Sequence, residues 1–236
     1  MTRIPDHQPS AINRQPSLKE RLVSWYEALL ERFGPQGWWP GRTPFEVAVG
    51  AILTQNTAWS NVERAIRALR AAGALSFSGM RALPERRLAA LIRPSGYFNQ
   101  KAKKLRAFLK WLAARDSRGS VRRALRGPLD EVRASLLGVR GVGPETADSI
   151  LLYAGERAVF VIDAYTRRVL ERHGLAGGGE SYADLRALFE RHLPAGVPIY
   201  NEYHALLVRL CKEHCAKRRP ACAGCPLEAD RRRHCP

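Results

Sequence analysis

The stretch that decides the fold is GVRGVGPETADSI, at residues 138–150. Its three glycines and Pro144, a favourable first helical residue, stand directly before a helical pattern, and the preceding LDEVRASLL predicts another helix. Backbone N–H groups at a helix start have no partner within the helix, so such a turn suits either a phosphate oxygen or a plain change of direction. A dinucleotide-binding turn would need a preceding strand, and none is predicted.

The charge of the chain indicates a polyanionic partner. Of its 236 residues, 39 are Lys or Arg and 22 are Asp or Glu, which gives a formal net charge of +17. A field of this sign attracts nucleic acid. An anionic membrane is disfavoured because no helix combines a basic face with a large apolar one. The alternative is an arginine-rich composition that only keeps the protein in solution.

Helical periodicity dominates the chain, and the alternation typical of strands is nearly absent. Ser17 with Glu20 and Thr43 with Glu46 are helix-start signals. The one strand-like run, at residues 158–162, is too short and isolated to imply a sheet. The sequence therefore predicts an all-α protein, with helices near residues 17–33, 43–54, 60–71, 84–92, 100–114, 130–137, 144–154, 164–173, 182–192 and 199–211.

The first resemblance to a known family lies around the opening stretch. LLGVRGVGPETADSILLYA at residues 136–154 and VFVIDAYTRRVL at residues 159–170 resemble the helix-hairpin-helix motif and downstream aspartate of the endonuclease III-like DNA glycosylases. This resemblance implies that the phosphate belongs to DNA beside a damaged nucleotide. The hairpin residues that it implies as DNA contacts are Gly141, Val142, Gly143 and Thr146.

Two further segments resemble the same family in the family's order. ILTQNTAWSNVERAI at residues 52–66 resembles the helix whose glutamine, Gln55 here, fills the gap left by the extruded base. GYFNQKAKKL at residues 96–105 resembles the loop that wedges the opposite strand, which places Tyr97 at the wedge. The resemblance extends from about Trp38 to the C-terminus.

Asp163 is the predicted catalytic residue. On local sequence alone it is an N-cap, a role that aspartate commonly fills. The resemblance adds a second role, because the family's motif aspartate stands at this spacing, 18 residues after Glu145. Such a carboxylate can activate water and stabilise a positively charged sugar. Bifunctional relatives carry a lysine at the Glu145 position, and a glutamate forms no imine, so we expect a monofunctional enzyme that uses water.

The segment GWWPGRTPFE carries the predicted base pocket. Paired tryptophans before a proline, Trp38, Trp39 and Pro40 here, resemble the branch of the family that removes N3-methyladenine, and Trp59 stands where that branch places a further aromatic residue. Indole faces bind a cationic alkylated purine by stacking and cation–π attraction. Without the resemblance, the tryptophans would be interpreted as a hydrophobic plug.

All five cysteines lie near the C-terminus, which disfavours a disulfide framework for the whole chain. Cys215, Cys222 and Cys225 match the spacing of the first three ligands of the family's 4Fe–4S cluster. The fourth ligand, Cys235, follows after nine residues instead of the five that the family pattern has. Zinc bound by four thiolates is the alternative cofactor, and Cys211 is the alternative ligand.

The resemblance implies a two-domain helix-hairpin-helix glycosylase fold. We expect a polar tail at residues 1–17, a six-helix domain at 37–156, and an iron–sulfur cluster domain from 18–36 with 157–236. The predicted partner is double-stranded DNA containing a damaged base, bound by a monomer. The alternatives are a glycosylase for oxidised pyrimidines or uracil, and a non-catalytic DNA-binding relative.

The predicted location is the cytoplasm, at the nucleoid if the source is bacterial. No run approaches the ~20 apolar residues of a membrane span. The N-terminal residues lack the apolar centre of a secretory signal.

Overall fold

The computed structural model describes residues 16–234. Cys235 and most of the predicted polar tail lie outside the described residues. Within them the chain forms α-helices, one 3₁₀ turn and one π-helical turn, with no strand, so the all-α prediction is confirmed. The α-helices are α1 Leu18–Phe33, α2 Pro44–Leu53, α3 Trp59–Ala71, α4 Phe77–Ala82, α5 Glu85–Leu91, α6 Phe98–Arg115, α7 Val121–Ala124, α8 Leu129–Leu137, α9 Pro144–Ser149, α10 Ala164–Arg172, α11 Tyr182–His192, α12 Val197–Glu213 and α13 Glu228–His234.

The structure differs from the predicted helices in two respects. The sequence missed α4, α7 and α13, which are short and therefore carry little periodic signal. The single helix predicted at residues 144–154 is α9 followed by a π-helical turn, Ile150–Ala154. None of the described helices is long and apolar enough to cross a membrane.

Helix α2 is the centre of the first hydrophobic core. Its sequence PFEVAVGAIL is apolar on nearly every face, and each residue from Phe45 to Leu53 is buried. Gly50 lets an aromatic ring approach closely, because a Cβ at this position would stand 3.3 Å from the indole of Trp39. The core therefore extends to the tryptophan segment of the sequence.

The second hydrophobic core lies among α1, α10, α11 and α12. Its centre is an aromatic stack in which the rings of Phe160 and Phe189 are 4.0 Å apart and nearly parallel. The division into domains stays a prediction, although residues 45–159 supply the first core and residues 22–29 and 152–227 supply the second.

The segment at residues 156–162 contributes to both cores and leads to Asp163. The segment forms no sheet, so side chains satisfy its amides: Phe160 N donates to Glu190 Oε1 at 3.0 Å, and Ile162 N donates to the Tyr182 hydroxyl at 3.3 Å. These bonds hold in place the residues that directly precede helix α10.

Helix α13 occupies the enlarged spacing between the last two cysteines and is fastened to α1. Arg21 donates from Nε to Asp230 Oδ1 at 2.6 Å and from Nη2 to Oδ2 at 2.8 Å. His173 Nδ1 lies 2.7 Å from the same Oδ2, and its ring packs against Trp25. The extra residues therefore form an ion-paired helix.

We predict that Asp230→Ala lowers the free energy of unfolding by about 3 kcal/mol or more, because it leaves the Arg21 guanidinium buried without its anion. Arg122→Ala, at an exposed ion pair with Glu156, should cost under about 1 kcal/mol. Urea denaturation of both variants measures the difference.

The same experiment has a pH dependence with a defined sign. Burial raises the pKa of Asp230, but Arg21 and His173 outweigh burial and hold the pKa well below its usual range. The stabilisation is therefore complete above about pH 4 and is lost as the pH falls, so the cost of Asp230→Ala should shrink in acid. Equal costs for the two variants, or a cost that grows in acid, would contradict this account.

Candidate active site

One cavity of about 240 Å³ brings together the predicted catalytic residue and several of the predicted pocket and DNA-contact residues. It lies between the start of α10, the hairpin helix α9 and the tryptophan segment. The predicted residues that line it are Trp38, Trp39, Gln55, Trp59, Glu145, Thr146 and Asp163. Residues that the sequence did not indicate also line it, among them Ser149, Tyr165, His204 and Lys212.

Asp163 is the N-cap of α10 and also faces the cavity. Its Oδ1 accepts from Thr166 N at 2.7 Å, and its Oδ2 lies 3.5 Å from His204 Nε2. The side chain is 14% exposed. Burial acts to raise its pKa, but His204 and Thr166 outweigh burial and hold the pKa below its usual range. The predicted cap is present, and the carboxylate is ionised where it meets the cavity.

His204 and Tyr153 stand behind this carboxylate and were missed by the sequence analysis. His204 is buried in α12, and its Nδ1 lies 2.5 Å from the Tyr153 hydroxyl. Burial, and next the charge of Asp163, raise the pKa of Tyr153 well above its usual range, so the phenol stays protonated. A lone histidine in an apolar helix carries no pattern that would have marked it.

Glu145 lies in the first turn of α9 at the mouth of the same cavity. Glu145 is exposed overall, but partial burial raises its pKa, and the charge of Asp163 adds to that effect while His204 opposes it. The cavity therefore holds two carboxyl groups whose pKa values are displaced in opposite directions.

The tryptophans form a mutually packed cluster. The ring centroids of Trp39 and Trp59 are 5.2 Å apart and the rings are nearly perpendicular, at 87°. Trp38 packs on both rings at tilted angles, and the ammonium of Lys212 lies 5.7 Å from its ring centroid. In this arrangement Trp39 and Trp59 do not form a parallel slot.

Pro40 does not line this cavity. It faces a second hollow of about 300 Å³ on the other side of Trp39 and Trp59. Charged side chains line that hollow, with Arg70 paired to Glu46 at 2.7 Å. Trp39 and Trp59 therefore line both hollows.

The hairpin turn is tied to Gln55. Gln55 Nε2 donates to Gly141 O and to Thr146 Oγ1, both at 2.9 Å, and Lys104 donates to Gln55 Oε1. Gly141 has φ +86°, a conformation that favours glycine. Val142 is buried, and its N–H is engaged by Val139 O at 2.9 Å.

Tyr97 lies at the edge of a neighbouring hollow that Gln55 also lines. Its side chain is 67% exposed, and its backbone is left-handed, with φ 45°. Lys101 is buried behind it and donates to Leu53 O at 2.9 Å and to Ser95 O at 2.6 Å. Burial, with the nearby charge of Lys104, lowers the pKa of Lys101 to about 8. Lys101 therefore joins the α2 end to the Tyr97 loop.

Three of the predicted metal ligands open on one recess. Cys215, Cys222 and Cys225 line it together, and Arg172 Nη1 donates to Cys215 Sγ at 3.1 Å. The adjacent Cys211 thiol and Arg172 outweigh burial and lower the pKa of Cys215, which favours the thiolate that metals bind.

The arrangement is incomplete within the described part of the chain. No group of three or more His, Cys, Asp or Glu side chains there is arranged to hold a metal ion. Cys235 lies outside the described residues, and Cys211 is buried with Sγ 3.6 Å from Tyr165 O. The donor chemistry of the recess fits a thiolate-bound metal or cluster, and the ligand set stays a prediction.

A family model supplies the identification that this geometry prepares. Residues 49–195 match the HhH-GPD superfamily base excision DNA repair protein model. The chain belongs to this superfamily, as the helix-hairpin-helix resemblance predicted.

Individual relatives agree with this assignment. A Methanocaldococcus jannaschii protein, provisionally named a DNA repair glycosylase, is 44% identical over 89% of this chain and 94% of its own. The structure of an H. pylori 3-methyladenine DNA glycosylase bound to 1,N6-ethenoadenine is 26% identical, covers 84% of this chain and 98% of that one, and has a TM-score of 0.71. An endonuclease III–DNA complex has a TM-score of 0.76 at 20% identity, over 93% of this chain and 99% of that one, which supports the fold.

Proposed function

We propose that this protein is a monofunctional DNA glycosylase that hydrolyses the N-glycosidic bond of an extruded damaged base, an alkylated purine such as N3-methyladenine. The observation that carries the proposal is the single cavity in which the ionised Asp163 faces the tryptophan cluster. Superfamily membership supports base excision, and the relatives' names support DNA as the partner.

The proposed reaction uses Asp163 and water. As the bond from sugar to base breaks, positive charge develops on the sugar, and a buried carboxylate stabilises that charge more strongly than water does. The same carboxylate accepts a proton from the attacking water. Glu145 occupies the position of the lyase lysine in bifunctional relatives and offers no amine, so the products are free base and an abasic site in an intact strand.

The preference for an alkylated purine rests on two features of the cavity. Its indoles offer faces for stacking, and the carboxyl groups of Asp163 and Glu145 favour a cationic base. Because Trp39 and Trp59 meet edge to face, we propose that the base stacks on one indole and does not enter between the two.

The proposed DNA-binding face combines the hairpin with the two segments beside it. Gly141 and Gly143 would offer backbone N–H groups to a phosphate, while the Val142 N–H is engaged within the turn. Gln55 would fill the space of the extruded base, and Tyr97, the most exposed large apolar side chain of the described residues, would wedge the opposite strand. A monomer suffices for this arrangement.

We also propose that Cys215, Cys222, Cys225 and Cys235 bind a structural 4Fe–4S cluster, for which the thiolate-favouring recess is the support. The cluster would hold the C-terminal loop and its basic residues near the DNA backbone. A zinc ion on the same thiolates is the second candidate.

A base-release panel tests the reaction and the substrate class together. Duplexes carrying N3-methyladenine, thymine glycol, uracil or a mismatch are incubated with the protein, and free base and strand breaks are measured separately. We expect release of N3-methyladenine with an intact strand and no covalent complex after borohydride treatment. Strand cleavage with a trapped complex would contradict the monofunctional proposal.

The panel also separates the alternatives. Fastest release of thymine glycol or uracil would replace the substrate class, and binding without any release would favour a non-catalytic relative. Lys212 is the one lysine among the described residues that line the cavity, so Lys212→Met identifies the amine if a complex is trapped.

The stacking proposal predicts that Trp59→Ala slows release of N3-methyladenine by roughly ten- to a hundredfold. Stacking of a base on an aromatic ring contributes about 1–3 kcal/mol, and each 1.4 kcal/mol is a factor of ten in rate. Trp111→Ala is the matched control, because Trp111 bonds to Ser135 at 2.7 Å, away from the cavity. Equal rates of base release for the two variants would mean that the three tryptophans only form a hydrophobic plug.

The proposal of a 4Fe–4S cluster predicts that the protein is brown and holds roughly four irons per chain after anaerobic purification. Cys235→Ala should lose the iron and the visible absorption, whereas Cys211→Ala should keep both. Loss in Cys211→Ala alone would reassign the fourth ligand. Colourless protein with one stoichiometric zinc would replace the cluster by the second candidate.

A further inference from the structure

The two oxygens of the Asp163 carboxylate have different partners. Oδ1 is occupied by the Thr166 N–H at 2.7 Å, which the helix start requires. Oδ2 faces His204 Nε2 at 3.5 Å, longer than an ordinary hydrogen bond of 2.7–3.2 Å. His204 Nε2 is buried and has no other hydrogen-bond partner among the described residues. The Asp163 carboxylate is therefore the acceptor that this nitrogen faces.

The charge of Asp163 decides which nitrogen of His204 carries hydrogen. An Nε2 lone pair facing a carboxylate oxygen would be repelled, whereas an Nε2–H is attracted. In the neutral ring this assignment leaves Nδ1 as the acceptor, and the Tyr153 hydroxyl, 2.5 Å away, is the donor that it needs. Tyr153, His204 and Asp163 thus form one directional chain that ends at the cavity.

We propose that His204 is a positioning residue for Asp163: its Nε2–H orients the carboxylate toward the reacting sugar and keeps it ionised, with Tyr153 fixing the tautomer. This role rests on the proposed glycosylase function. In structures without substrate, catalytic hydrogen bonds are often long and shorten in the complex. At 3.5 Å the imidazole already faces the carboxylate without substrate.

The residues around Tyr153, His204 and Asp163 support a functional role for this hydrogen-bonded series. Tyr153 lies in the π-helical turn Ile150–Ala154, and π-helical turns occur frequently at functional sites. The centroid of its ring lies 5.2 Å from that of Trp39, so Tyr153 packs directly against the tryptophan cluster. Besides His204 and Tyr153, the groups that face Asp163 are Glu145, whose charge opposes ionisation, and Lys212 across the cavity.

The consequence for the reaction follows from burial. A carboxyl group in an apolar wall tends to bind a proton, and a protonated Asp163 could neither stabilise a cationic sugar nor accept a proton from water. By donating toward Oδ2, His204 favours the charged form. Without this donor the acid limb of the pH–rate profile should move to higher pH.

The test measures the pKa of the Asp163 carboxyl by ¹³C NMR titration of the protein without DNA. His204→Leu should raise this pKa by about 1 pH unit or more, since it removes the buried Nε2–H group that faces the charged carboxylate at 3.5 Å. His204→Gln, whose amide can still donate, should stay near the wild-type value, and Tyr153→Phe should raise the pKa by a smaller amount. His192→Leu, at a histidine that bonds to Leu188 O, should change nothing.

Release of N3-methyladenine, measured against pH, is the second readout. The acid limb should move upward in His204→Leu by the same amount as the carboxyl pKa. An unchanged pKa in His204→Leu, or an equal rise in His204→Gln, would overturn the proposal. If His204→Leu does not fold, Tyr153→Phe decides, and an unchanged pKa there overturns the proposal. A wild type that releases no base would refute the proposed function and leave the NMR result to stand separately.

Discussion

The hydrogen bond from Thr166 N to Asp163 Oδ1, 2.7 Å long, is the interaction on which the site depends. It starts α10 at the place where the segment at residues 156–162 ends. The segment itself is held by Glu190 and Tyr182, so the carboxylate is fixed from both directions along the chain. A single cap bond therefore serves the fold and aims the group that we propose as catalytic.

The cavity gains its chemical asymmetry from the surroundings of its two carboxyl groups. Asp163 has partners for its charged form, so its pKa is low in spite of burial. For Glu145, burial and the charge of Asp163 outweigh the opposing effect of His204, so its pKa is raised. Where the surroundings move the pKa values of two carboxyl groups apart in this way, the two groups commonly have different roles in the reaction. The tryptophan cluster supplies an apolar wall, which lowers the local dielectric constant and so strengthens the electrostatic interactions within the cavity.

Local signals in the sequence predicted much of this arrangement. The caps at Ser17 and Thr43 and the glycines of the hairpin marked the helices, because each reports a backbone requirement within a few residues. The family resemblance named Asp163, Gln55 and the tryptophans, which the fold brings to one cavity. Contacts between distant segments were not predictable, because periodicity reports which face of a helix is buried and not what it meets. His204 beside Tyr153, Lys101 beneath Tyr97, and the ion pair of α13 are of this kind.

The central claim is that Asp163 acts on the substrate in addition to capping α10, and Asp163→Asn separates the two roles. Asparagine caps a helix about as well as aspartate, so the melting temperature and the affinity for undamaged duplex should stay near wild type. It carries no charge and accepts no proton, so single-turnover release of N3-methyladenine should fall by about a hundredfold or more. Release at the wild-type rate by a folded Asp163→Asn protein would contradict the account and leave Asp163 a structural cap.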